Sequence, residues 1–131
     1  MKSLSLALFF LAFALVAQAD QVLQYEPAVV EITGVIAKAK AQHPNETWFD
    51  FQYVKLATPA SIQGDNDKDS FNETETGVTE VQIYSGDDKI RKQYLSLVGK
   101  KAILKGTVFH AQTAWHVRDL VLMVTEVRAA K

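Results

Sequence analysis

Apolar and polar positions alternate with a period of two through most of the chain after Pro27. From Ala28, Val30, Ile32, Gly34 and Ile36 fall on one face and Glu31 and Thr33 on the other, which predicts a first strand rich in β-branched residues. Gly34 inside it implies a bulge or a sharp bend, as a small closed sheet requires. Ala37 to Glu46, with alternating alanines and lysines and then His43-Pro44-Asn45, reads as a short helical turn or a loop. Thr47 to Leu56 predicts a second strand, with Phe49, Phe51 and Tyr53 on its apolar face and Trp48, Asp50 and Gln52 opposite. Residues 57–77 carry Pro59, Gly64, Gly77 and many Asp, Asn, Ser and Thr, the composition of a long polar loop.

Val78 to Tyr84 alternates again, with Thr79, Val81 and Ile83 opposite Glu80 and Gln82, and predicts a third strand. The spacing changes after Ser85-Gly86-Asp87-Asp88, which offers a turn and an N-cap. Ile90, Tyr94, Leu97 and Val98 recur at helical intervals, and Gly99 stands where a helix stops. Lys101 to Ala111 and Leu120 to Val127 predict a fourth and a fifth strand, joined by a loop over 112–119. The order β-β-β-α-β-β, with one helix between strands three and four, is that of a five-stranded Greek-key barrel of the oligonucleotide/oligosaccharide-binding (OB) type. The similar runs Glu31-Ile-Thr-Gly34 and Ile103-Leu-Lys-Gly106 place a glycine in the first and fourth strands, both strongly curved in such barrels.

The N-terminus changes the picture of where this domain works. Lys2, the apolar run Leu4 to Val16 and the small residues Ala17 and Ala19 have the layout of a secretory signal peptide. Cleavage between Ala19 and Asp20 is expected to leave residues 20–131 as one domain, periplasmic or secreted. The apolar run is short for a membrane span, which takes about 20 residues, so no stable membrane insertion is expected after cleavage. The chain has no cysteine, which excludes a disulfide framework and a thiol-linked lipid anchor. Its net charge of −1, more negative still once Lys2 is removed, lacks the basic footprint of a nucleic-acid binder.

Tyr25-Glu-Pro-Ala-Val-Val-Glu-Ile-Thr-Gly34, Gly77-Val-Thr-Glu-Val-Gln-Ile83 and Leu97 to Ala111 together resemble a family of small exported bacterial proteins, domain-of-unknown-function family 4431. Lys105-Gly-Thr-Val-Phe-His-Ala111 is the most specific stretch. The resemblance implies one exported, OB-like domain and carries no activity with it. It also implies a histidine-rich segment after that stretch, suggestive of metal binding. This chain departs from it, keeping only His110 and His116, with Gln112 and Trp115 where further histidines are expected.

Candidate chemistry gathers in Phe109 to Asp119, because the loop between strands four and five borders the usual binding face of an OB barrel. Trp115 offers a stacking plate for a sugar or base, Arg118 a fork for a carboxylate or phosphate, and His110, Gln112 and His116 further polar contacts. Trp48 joins them as an exposed aromatic on the wall of the second strand. His110 and His116, with Asp119 as a third ligand, form a candidate metal set, although a structural site normally takes four ligands. Asp65-Asn-Asp67-Lys-Asp69-Ser70 imitates the start of a calcium loop but has Ser70 where the sharp turn needs glycine and Thr76 where a closing glutamate belongs. No serine elbow or Gly-rich phosphate loop occurs. The expectation is therefore a non-enzymatic binding module without a cofactor, meeting a small ligand, a saccharide or an envelope protein. A metal-handling protein and a protein inhibitor or immunity-type factor are the alternatives.

Overall fold

A computed structural model describes residues 20–65 and 67–131; the expected signal segment, 1–19, lies outside the described residues. The elements run β1 (Gln21–Leu23), β2 (Val29–Gln42), β3 (Trp48–Ile62), β4 (Glu75–Tyr84), α1 (Asp88–Ser96), β5 (Lys101–His110) and β6 (Leu120–Ala129). β2, β3 and β4 pair in antiparallel succession. The chain then crosses through α1, and β5 returns to lie antiparallel beside β2. β6 pairs with β5 and closes the ring by running parallel to β4. That closure is the Greek-key path of the OB barrel predicted from the element order. A sixth strand was not foreseen: β1 adds in parallel to the far end of β3, from Gln21↔Ala60 to Leu23↔Ile62.

The interior of the ring is apolar throughout. Ile32 and Ile36 from β2, Val54 from β3, Val81 from β4, Leu104 and Val108 from β5 and Leu122 from β6 are all buried there. Both predicted glycine bends occur at close strand crossings. A Cβ at Gly34 would overlap the carbonyl oxygen of Lys55, and one at Gly106 would overlap that of Met123. The register shifts opposite Lys105 and Gly106, where Thr125 of β6 is left over as a bulge that bends β6 and tightens the local twist. α1 starts where expected: the Asp87 carboxylate accepts from the N–H groups of Lys89 and Ile90, a cap worth about 1 kcal/mol. The helix buries Tyr94 in the core, and Gly99 beyond its end takes a left-handed φ of 85°.

Three local expectations need correction. Ala37 to Gln42 is neither helix nor loop but the continuation of β2. Its alanines lie opposite Phe49, Phe51 and Tyr53, and that cross-strand packing decides the conformation. The polar loop is 63–74 rather than 57–77. Residues 57–62 extend β3, because Ala60 and Ile62 are buried and pair with both β1 and β4. Pro59 is tolerated there because the β3–β4 register breaks between Lys55 and Ala60.

The third correction turns strand β3 over. Ile36 and Val54 face each other and both are fully buried, so the Val54 side of β3 faces the interior. Phe49, Phe51 and Tyr53 have the opposite parity and stand on the outer wall. Trp48, Asp50 and Gln52 share the parity of Val54; Gln52 still pairs with β4, while Trp48 and Asp50 lie on the part of β3 that runs past it.

Candidate functional site

β4 ends at Tyr84, and its last pair with β3 is Ile83↔Gln52. Beyond that point the start of β3 is paired only with β2, and a pocket of about 480 Å³ opens along this edge. Phe49 and Phe51 of β3, Tyr84 of β4, Phe109 of β5, Met123 of β6 and Trp115 of the β5–β6 loop supply most of its apolar wall, with α1 contributing Arg91 and Tyr94.

The β5–β6 loop, 111–119, folds back over the outer wall and is held there by polar contacts. Ala111 N–H donates to the Asp119 carbonyl at 2.8 Å and closes its base. Gln82, pointing outward from β4 and 6 % exposed, donates to the Trp115 carbonyl at 3.0 Å. Its side-chain oxygen accepts from Val117 N–H at 2.6 Å and Arg118 N–H at 3.2 Å. Arg118 Nε donates to Glu80 Oε2 at 3.0 Å, and its guanidinium lies 5.1 Å from the Phe51 ring centre and 4.7 Å from that of Tyr53. Phe51 is thus buried on the outside of the barrel, under the loop rather than in the core.

Trp115 is held by its neighbours while staying half exposed. Its ring lies 4.2 Å from His43 and meets Phe49 edge-on at 4.8 Å. His43 is placed by the β2–β3 turn, where its N–H donates to the Thr47 carbonyl and its own carbonyl accepts from Glu46, which takes a left-handed φ of 70°. The β2–β3 and β5–β6 loops therefore meet above the pocket, the pair of loops that borders the binding face of OB barrels. His116 sits in the wall with Nδ1 accepting from the N–H groups of Gln112 (2.9 Å) and Thr113 (3.2 Å), its ring edge-on to Phe109. Burial lowers its pKa below the ordinary 6.5.

The sequence candidates are thus distributed over different places. Trp115 and His116 line the pocket. Gln112 contributes its backbone to His116, and Arg118 is committed to Glu80 and two aromatic rings. Trp48 is exposed opposite Gln42, outside the pocket wall. Asp119 is exposed, its carbonyl engaged by Ala111. His110 and His116 are engaged separately: His110 Nε2 lies 3.0 Å from Glu75 Oε1 and its Nδ1 3.4 Å from the Ala111 carbonyl oxygen. Burial opposes a charged imidazole at His110, but these two hydrogen bonds and the charges of Glu75 and Glu73 outweigh it and raise the pKa. Tyr25 nearby is pushed up to about 12 by burial and then by Glu75, Glu73, Asp65 and Asp119.

In the acidic loop, Asp65 accepts from the side chains of Ser70 and Asn72, and Asp67 accepts from Asp69 N–H, so these carboxylates organise the turn itself. Sequence reasoning missed Gln82, whose place in a regular alternation looked solvent-facing, and Phe49 and Phe51, which it assigned to the interior. It also missed Glu73 and Glu75, which sat inside the presumed loop.

Residues 80–128, from within β4 through α1 to β6, match the family described as Domain of unknown function (DUF4431). This supports the resemblance over the part of the chain that contains the β5–β6 loop. No curated protein matches the chain. Among the described residues, no helix is long and apolar enough to cross a membrane.

Proposed function

We propose that the chain is an exported, non-catalytic binding module of the OB type. It receives a small, largely apolar molecule or a saccharide in the pocket between β3, α1 and the β5–β6 loop. The carrying observation is the pocket itself, about 480 Å³ and walled by aromatic side chains where the two loops of the binding face meet. A volume of that order suits a small ligand, and a half-exposed Trp115 braced by His43 and Phe49 is a ready stacking plate. The polar groups beside it favour binding over catalysis, because Gln82, His116 Nδ1 and Arg118 already serve the loop. The expected signal segment puts the module in the periplasm or outside the cell. Intact mass of the exported protein, beginning at Asp20, tests that part.

The binding reading is tested by tryptophan fluorescence in a Trp48→Phe background, so that Trp115 alone reports. Soluble envelope oligosaccharides and aromatic small molecules serve as probes. A saturable change that disappears when Phe49 is also replaced by Ala supports the pocket as the site. Spectra that stay flat across the whole panel overturn it.

A further inference from the structure

At one mouth of the barrel, apart from the pocket, strand pairing brings together residues that are distant in sequence. Glu75 opens β4 opposite the buried Ile62, and His110 ends β5 opposite the buried Leu120, so both side chains share the parity of core residues at the rim. Glu73 stands two residues before β4, where its carbonyl accepts from the Tyr25 hydroxyl. One ligand atom from each of Glu73, Glu75 and His110 lies within 4.8 Å of the other two.

The tautomer of His110 gives this cluster its chemistry. Nε2 lies 3.0 Å from Glu75 Oε1 and Nδ1 3.4 Å from the Ala111 carbonyl oxygen, so the tautomer with its proton on Nδ1 turns the Nε2 lone pair to the carboxylate. Metal-binding histidines are commonly oriented in this way, by a carbonyl on the nitrogen that does not ligate. In that tautomer the two lone pairs repel unless a cation lies between them, whereas in the other Nε2–H donates to Glu75. A proton on Nε2 engages Glu75 alone; Asp65 and Asp119 add to the negative field felt at Tyr25. A divalent ion balances both.

We propose that Glu73, Glu75 and His110 bind a divalent transition ion of the zinc class. One imidazole nitrogen and two carboxylate oxygens ligate it, and water completes the shell. One nitrogen and two oxygens form a borderline donor set that suits zinc better than the all-oxygen cages of calcium or magnesium. Three protein ligands are the number found in open zinc sites. The ion would tie the polar loop 63–74 to the end of β5, and so to the loop that carries Trp115.

Isothermal titration of the purified chain with zinc chloride tests this, alongside the ¹⁵N shift of His110 Nε2 by NMR. The expected result is one equivalent bound, with a shift at His110 Nε2. Glu73→Gln and Glu75→Gln should each weaken binding by roughly tenfold or more, since even the outer-shell partners of metal ligands are worth that much. Glu73 is exposed, so its variant keeps the fold, and Glu31→Gln on the outer surface controls for net charge. Absence of saturable binding overturns the proposal, as does one-equivalent binding that survives both site variants or is lost equally in Glu31→Gln.

Discussion

His116 holds its Nδ1 lone pair toward the N–H groups of Gln112 and Thr113, and a proton on that nitrogen would turn an acceptor into a donor facing two donors. Burial pushes its pKa the same way, below 6.5. A histidine with a depressed folded pKa contributes stability that is present above its unfolded pKa and is lost as pH falls through the folded one. The loop should therefore loosen on acidification below about pH 6.5. The other charged groups lining the pocket are Asp50 and Arg91. Hydrogen exchange at the Gln112 and Thr113 amides checks this, by comparison with His116→Asn, whose side chain does not titrate. Equal loss of protection in both proteins on acidification would assign the effect to another group.

At the scale of elements, the β5–β6 loop depends on β4 more than on its own sequence. Gln82 satisfies two N–H groups and one carbonyl of the loop from a strand more than 30 residues away. Gln82→Ala leaves all three without their partner and should cost about 1–3 kcal/mol, part of it recoverable by water. Urea unfolding measures the total, and the exposure of Trp115 to a fluorescence quencher measures the loop. An unchanged midpoint with unchanged quenching would mean that the Arg118–Glu80 pair and the aromatic contacts hold the loop alone. The elements themselves were largely legible. Alternation with β-branched residues marked β4, β5 and the first part of β2, and Asp87 with Gly99 bracketed α1. What escaped was the reach of β2 and β3. Ala37, Ala39 and Ala41 have weak strand preference by themselves and become strand because Phe49, Phe51 and Tyr53 lie across from them.

For the whole molecule, ring closure sets what each end of the chain contributes. β1 is only three residues long, yet Leu23 is 4 % exposed and joins the core beside Ile62. Leu23→Ala should therefore cost about 2–5 kcal/mol, as for a core leucine, measured by thermal or urea unfolding. A loss well under 1 kcal/mol, within the range of surface substitutions, would show that β1 is an appendage to the barrel.

The sequence by itself determined the strand-rich class, the position of the helix between strands and hence the order that closes into this ring. Local periodicity and capping carry those facts, and each acts over a few residues. Tertiary structure alone decided which face of β3 turned inward. Period two labels two faces without saying which is the interior, and here the aromatic face was the outer one, covered by a loop. It also decided which groups met. His110 was expected beside His116, six residues on, but closure of the ring set it against Glu75, 35 residues away. Such meetings depend on strand register around a closed sheet, which local sequence does not encode.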